Sequence, residues 1–181
     1  MLADEHRKQL LSLARTTIEC ALQGCYDVPE EGTFHEPLRQ PAGAFVTLRT
    51  LQGDLRGCIG SIQAREALYR AVHSNALSAA FRDPRFRPVR REELAKLIIE
   101  ISVMGPIERV TAFEDVMVGR DGLIVSRGRF AGLLLPQVAT EYGWDRDTFL
   151  DQTCVKAGLS PGVWREPSTV IEKFSAEVFG E

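Results

Sequence analysis

The six residues Leu55 to Gly60 contain the side chains best suited to chemistry. In an extended strand alternate residues share a face, so Arg56, Cys58 and Gly60 are expected on one side. A guanidinium roughly 6–7 Å along the strand from the thiol would stabilise a thiolate, and Gly60 would leave room beside the sulfur. Gly57, on the other face, indicates a bulge or a close backbone approach. The alternative is that Cys58 only packs, since free cysteines are often buried.

Glu100 places a carboxylate inside an apolar run, Leu97 to Met104, that has the composition of a strand. An unpaired charge is costly to bury, so this side chain must reach water or a cation. We expect Glu100 and Arg56 to meet across adjacent strands, with Cys58 beside them, where they line a cleft. Cys58 and Glu100 are then the candidate catalytic residues. The alternative is a structural salt bridge without chemistry.

Arginines are concentrated between Phe81 and Arg91, a segment that holds five of them and two phenylalanines. Such a pattern can bind nucleic acid by pairing with phosphates and stacking on bases. The alternative is a loop pinned by its phenylalanines, with its arginines solvated or paired with Asp83. We favour the alternative because the chain has a net charge of -3, and nucleic-acid-binding proteins are usually basic. Nucleic acid is therefore not an expected partner.

The sequence contains no recognisable metal or cofactor motif. Cys20 and Cys25 have four residues between them, but no second cysteine or histidine pair lies nearby to complete a tetrahedral zinc site. A glycine-rich phosphate loop and a radical-SAM cysteine triad are also missing. His73 is interpreted as a packing residue, and nothing in the spacing recommends His6 or His35. We therefore predict no metal and no cofactor.

Two hydrophobic periodicities position these residues. Helical spacing predicts helices over residues 3–22 and 65–80, a short helical turn at 91–95, and two helices between Pro136 and Gly158. Alternation predicts strands in two hairpins (44–50 with 55–62, and 123–127 with 130–134), at 97–104 and at 169–179. Hairpins interspersed with helices indicate an α+β fold with mainly antiparallel sheets and flanking helices.

Length and composition restrict the class of protein. A chain of 181 residues with 44% apolar residues can bury roughly 70% of the surface that it exposes when unfolded. It therefore needs no disulfide bond or structural metal ion to form a stable core. The first residues are acidic and lack the apolar segment of a signal peptide. The apolar runs are far shorter than the roughly 20 residues that span a membrane. We expect a cytoplasmic protein with reduced cysteines and no contact with a membrane.

Several motifs, in the same order, resemble the AMMECR-domain family, known in bacteria as AmmeMemoRadiSam system protein A. They are Leu55–Gly60 (LRGCIG), Asn75, Ala79–Phe86, Ile99–Ser102, Leu133–Ala139, Cys154–Leu159 and Val178–Glu181. The resemblance covers nearly the whole chain and implies a single α+β domain over residues 1–181 with two intimately joined lobes. The larger lobe would hold the N-terminal helix, hairpin 43–62 and strand 97–104. The smaller would lie within about 111–165, and strand 169–179 would come last.

The resemblance implies less about function, because the activity of the family is not established. Its members are often encoded near a MEMO-like protein and a radical-SAM protein, which implies these two as partners in a shared pathway. Relatives often have His where this chain has Asp121, so a catalytic role of that position is not carried over. The candidate ligand-binding residues, for a small anionic or peptide-like ligand, are Arg56, Gly57, Gly60, Asn75 and Arg85.

Three functions are compatible with this sequence. The first is a pathway protein with a ligand-binding or catalytic cleft at Leu55–Gly60, where the Cys58 thiolate could react. The second is a non-catalytic adaptor that binds a protein partner. The third is an RNA- or DNA-associated factor that uses the arginines of Arg82 to Arg91. The sequence does not decide whether the chain is an enzyme.

Overall fold

The computed structural model describes residues 1–181, which fall into two compact units. The first unit comprises residues 1–104 and 177–181, and the second comprises residues 105–176. The strand pairs within both units are antiparallel, so the predicted α+β class with mainly antiparallel sheet is confirmed. None of the helices combines the length and the apolar character needed to cross a bilayer.

The first unit is built on strands β1 to β3, which lie in the order β2-β1-β3. In chain order its elements are α1 (Asp4–Leu22), α2 (Glu36–Arg39), β1 (Ala44–Thr50), β2 (Leu55–Ser61), α3 (Leu68–Phe81), α4 (Arg91–Leu94) and β3 (Leu97–Met104). β1 and β2 form a hairpin and β3 pairs with the other side of β1. The outer edge of β2 therefore has no neighbouring strand.

The helices of this unit are held by apolar faces with helical spacing. Leu10, Ala14 and Ile18 of α1 are completely buried, four residues apart, as an amphipathic helix requires. α3 presents small buried residues, among them Ala76 and Ala79. Small side chains let this helix lie close to the hairpin, and that closeness fixes the position of the loop that follows α3.

The second unit has its own sheet and its own core. Its elements are β4 (Glu108–Arg109), β5 (Asp121–Arg127), β6 (Phe130–Leu134), α5 (Pro136–Glu141), α6 (Arg146–Lys156) and β7 (Val170–Gly180), whose last residues belong to the first unit. β5 pairs with β6 and with β7. Buried Leu123, Phe149 and Trp164 belong to one apolar cluster. Asp145 caps the N-terminus of α6, since its carboxylate accepts the N–H of Thr148 at 2.8 Å.

The structure differs from the predicted elements in three places. α3 begins at Leu68, not at residue 65, because Ala67 forms an isolated antiparallel bridge with Pro41 and holds the preceding chain extended. α2 has four residues and β4 has two. Segments this short contain little more than one period of helix or strand, which is too little for periodicity to identify them reliably.

Candidate functional site

The backbone of Cys58 is bound by the loop that follows α3. Its N–H donates to Asp83 Oδ2 at 2.9 Å, and its carbonyl accepts from Arg85 Nη2 at 3.2 Å. Both backbone groups lie on the open edge of β2, where a sheet partner is missing. The two side chains therefore satisfy the main-chain groups that a further strand would otherwise satisfy.

Asp83 is the buried anchor of this loop, with 4% of its surface exposed. Besides the Cys58 N–H, its carboxylate accepts the backbone N–H of Arg85 at 3.1 Å and the Arg85 Nε and Nη2 at 3.0 and 2.7 Å. The hydrogen-bonded Arg85 guanidinium holds the pKa of Asp83 well below its ordinary value, and this outweighs the opposing effect of burial. Asp83 is therefore ionised at any physiological pH.

The thiol of Cys58 is partly exposed and lies beside a hydroxyl. Thr47 Oγ1 is 3.2 Å from Cys58 Sγ, and the two residues face each other across β1 and β2. On the other side Thr47 faces Glu100 of β3. Two strand-to-strand steps amount to about 9–10 Å, so Thr47 separates the two candidate catalytic residues.

Glu100 does not meet Arg56, and the prediction that they pair is wrong. β1 lies between their strands, so the two residues are not on adjacent strands. The nearest cation to Glu100 is Arg49, whose Nη2 is 4.0 Å from Glu100 Oε1. Arg56 instead forms a two-pronged ion pair with Glu93 of α4, with Nε–Oε1 and Nη2–Oε2 distances of 3.2 Å.

A bulge in the hairpin also removes the basis for placing Arg56 and Cys58 on one face. Leu48 faces Gly57 but Arg49 faces Leu55, so Arg56 has no residue opposite it. An extra residue in one strand interrupts the alternation of faces. The Arg56 side chain is mostly buried, with 14% of its surface exposed, and it reaches α4 while the Cys58 thiol reaches Thr47.

The Arg56 side chain lies at the wall of a cavity of about 550 Å³, which we call the arginine cavity. The residues around it are Arg56, Arg85, Phe86, Arg87, Pro88, Arg90, Glu92 and Glu93. Four arginines against two glutamates leave an excess of two positive charges. Hydrogen bonds from Arg56 and then from the Arg90 N–H lower the pKa of Glu93, so this carboxylate stays charged. Cys58, Glu100 and Asn75 do not belong to the cavity wall.

One donor in this region is left over. Arg56 Nη1 is buried and has no hydrogen-bond partner, although Nε and Nη2 of the same guanidinium are both used by Glu93. A buried donor without a partner costs roughly 1–3 kcal/mol. Positions of this kind in a folded protein call for an explanation such as a site for an acceptor.

The remaining predicted ligand-binding residues make structural contacts. A Cβ at Gly57 would lie 2.2 Å from the Ala79 carbonyl oxygen, and one at Gly60 would lie 2.3 Å from the Ala44 carbonyl oxygen. Side chains there would collide with backbone. Asn75 donates through Nδ2 to the Ala44 carbonyl at 3.0 Å and so ties α3 to β1. Of the five predicted residues, only Arg56 and Arg85 lie around the arginine cavity.

Sequence reasoning did not find Thr47 or Glu93. Glu93 is the third residue after Arg90 and its carboxylate accepts the Arg90 N–H at 2.7 Å, a spacing typical of a helix start. The spacing of Arg90 and Glu93 therefore predicts that Glu93 caps the start of α4. It does not predict that Glu93 also pairs with Arg56, which lies 37 positions earlier in the chain. Thr47 carried no signal of its own beyond its place in a strand.

The chain is similar to archaeal proteins over almost its whole length. A protein of Methanothermobacter thermautotrophicus is 44% identical, covering 99% of this chain and 96% of the relative. A protein of Thermococcus gammatolerans is 45% identical, covering 98% of this chain and 91% of the relative. The crystal structure of the uncharacterised protein PH0010 from Pyrococcus horikoshii has a TM-score of 0.88 at 42% identity, covering 99% of this chain and 93% of that one.

These likenesses agree with a family-level match. The sequence profile of the AMMECR1 family matches residues 11–179, which include the LRGCIG hairpin, the loop after α3, most of the first compact unit and all of the second. The resemblance inferred from short motifs is therefore confirmed. This chain belongs to the AMMECR1 family.

Proposed function

We propose that this AMMECR1-family protein binds a small anionic ligand, a carboxylate or a phosphate, in the arginine cavity. The observation that carries the proposal is the buried Nη1 of Arg56, which has no partner in a side chain that is otherwise fully engaged. A guanidinium offers its N–H donors in a planar fork that suits carboxylate and phosphate oxygens. Nη1 is closed to solvent in this structure, so an oxyanion would satisfy the leftover donor after a small shift of the Arg56 side chain that uncovers it.

The charges around the cavity support the same ligand class. Arg56 is paired with Glu93 and Arg85 with Asp83, which leaves Arg87 and Arg90 against the single carboxylate of Glu92. Once Asp83, which lies outside the wall, is counted, one positive charge is in excess and can neutralise a ligand. Phe86 supplies an apolar surface, and the Arg85 guanidinium lies 5.5 Å from its ring centroid. The volume of about 550 Å³ falls within the range typical of small-molecule sites.

We assign binding, and not thiol catalysis, to this region. Cys58 does not line the arginine cavity, and Thr47 lies between Cys58 and Glu100 in the sheet register. Action alongside a MEMO-like protein and a radical-SAM protein in the cytoplasm remains part of the proposal and rests on the family resemblance alone.

The test is a titration with inorganic phosphate, monitored by two-dimensional NMR of the ¹⁵N-labelled chain. We expect saturable shifts of the amides in residues 85–93 and weaker binding, by about fivefold or more, in Arg87→Gln. The loss is expected because one of two cations without a carboxylate partner is removed. Arg82→Gln is the matched control, since Arg82 is an exposed arginine of the same loop that does not line the cavity.

Two results would overturn the proposal. Equal loss of affinity in Arg82→Gln and Arg87→Gln would show that phosphate responds to loop charge in general. The chain could instead bind a single-stranded oligonucleotide far more tightly than phosphate, with an affinity that falls steeply with salt. That result would identify nucleic acid, and not a small anion, as the ligand. Citrate run in parallel separates a carboxylate ligand from a phosphate.

A further inference from the structure

Two histidines and a glutamate come together at the beginning of α1, far in sequence from the residues that line the arginine cavity. The ligand atoms of Glu5, His6 and His35 all lie within 4.8 Å of one another. Glu5 and His6 belong to the first turn of α1, and His35 is the residue before α2. The cluster depends on the fold, because some 30 residues separate His6 from His35 in the sequence.

The distances between these ligand atoms approach those found around a bound divalent metal ion. Glu5 Oε1 is 3.7 Å from His6 Nε2, longer than a hydrogen bond. The two imidazole centroids are 5.1 Å apart with their planes tilted by 52°, so the rings are not stacked. In a tetrahedral zinc site with bonds of about 2.0–2.1 Å, neighbouring ligand atoms lie roughly 3.3–3.4 Å apart. Small side-chain rotations would close the difference.

The three ligands differ in mobility in a way that suits a binding site. The His6 side chain is 12% exposed and is therefore held in place. Glu5 and His35 are exposed and free to adjust. The backbone of His35 is fixed nonetheless, because its neighbour Phe34 is buried and stacks on Tyr69 with ring centroids 4.4 Å apart. One anchored ligand and two adjustable ones can converge on an ion without moving the main chain.

We propose that Glu5, His6 and His35 form a binding site for a divalent transition metal of the zinc class. Imidazole and carboxylate donors suit zinc, and three protein ligands leave a coordination position open to water. The partial positive charge at the helix N-terminus disfavours a bound cation. The negative charges of Asp4 and Glu5 in the first turn of α1 counteract it. A bound ion would join the start of α1 to the chain entering α2.

The experiment is calorimetric titration of the tag-free full chain with Zn²⁺. We expect one ion per chain with micromolar affinity or tighter, and at least a tenfold loss of affinity in His35→Ala. That variant should fold normally because the side chain is exposed. His6→Gln should give a similar loss. In thermal unfolding, Zn²⁺ should raise the midpoint of the unaltered chain by several degrees but not that of His35→Ala.

The control addresses the thiols, which also attract zinc. Cys25→Ser removes a partly exposed thiol and should leave Zn²⁺ affinity unchanged. Loss of binding in Cys25→Ser with normal binding in His35→Ala would overturn the proposal and move the site to the cysteines. Binding weaker than about 100 µM in the unaltered chain, roughly a hundredfold weaker than the micromolar affinity expected of a three-ligand site, would also overturn it.

Discussion

Among single side chains, Asp83 has the largest structural role near the LRGCIG strand. Its carboxylate accepts four hydrogen bonds, from the Cys58 N–H and from the N–H, Nε and Nη2 of Arg85. The carboxylate is almost completely buried, and a buried charge is tolerated only with such partners. The loop that lines the arginine cavity is therefore positioned by one residue that does not itself line it.

Asp83→Asn should destabilise the protein by about 2–4 kcal/mol at pH 7, because the buried carboxylate loses its charge-assisted hydrogen bonds and an amide N–H₂ now faces donors. The pKa of Asp83 is lower in the folded chain than in the unfolded one. The stabilisation is thus present above about pH 4 and is lost as the pH falls towards the folded pKa. Urea unfolding of both proteins from pH 7 to pH 3 should show the difference narrowing.

Asp54→Asn is the matched control, since Asp54 is exposed in the hairpin turn. It should change the free energy of unfolding by less than about 0.5 kcal/mol. A gap between Asp83→Asn and the unaltered chain that stays constant down to pH 3 would contradict the assigned role.

The difference between prediction and structure at single residues has a clear cause. Alternation correctly places Cys58 and Ile59 on opposite faces, but the bulge at Arg56 interrupts it. A glycine next to an arginine hints at a bulge without saying on which residue the extra position falls. The Arg56–Glu93 pair spans 37 positions, and a sequence with several glutamates offers no way to choose among them.

Helices and strands were more predictable than their contacts. Both hairpins, α1 and β3 follow from periodicities that are long enough to count, and the buried alanines of α3 let that helix lie close to the hairpin. Gly57 shows how close the two come, because the Ala79 carbonyl occupies the place of its missing side chain. The hairpin and α3 are thus packed backbone against backbone.

Gly57→Ala should cost about 1–3 kcal/mol of stability, since the new methyl meets a carbonyl oxygen that belongs to a helix and cannot turn away. Thermal unfolding followed by circular dichroism measures it. Gly32→Ala is the comparison, because nothing lies within 4 Å of a Cβ there. If both substitutions have the same small effect, α3 lies further from the hairpin than described.

The whole molecule contains two separate apolar clusters, one in each compact unit. Its four cysteines are free, and Cys154 is the buried one, in the second cluster. Burial raises the pKa of the Cys154 thiol, so both its access to reagents and its ionisation are suppressed. This thiol reports on the second unit alone.

Native protein treated with iodoacetamide at pH 8 should be modified at Cys20, Cys25 and Cys58 but not at Cys154, as mapped by peptide mass spectrometry. A stable core opens rarely, so Cys154 in the native protein should react at least about a thousandfold more slowly than in the protein unfolded in urea. Rapid modification of Cys154 in the native state would mean that the second unit opens readily. Slow modification of Cys58 would mean that Thr47 and the neighbouring strands shield its sulfur.

The capped edge of β2 has one more consequence. A strand at the rim of a sheet is a template on which another polypeptide can add itself, and this is a common route to aggregation. At Cys58 both main-chain groups that such an intruder would need are already taken by Asp83 and Arg85. The same loop that lines the arginine cavity therefore hinders strand addition at Cys58, so resistance to aggregation and the proposed ligand binding depend on one short stretch of chain.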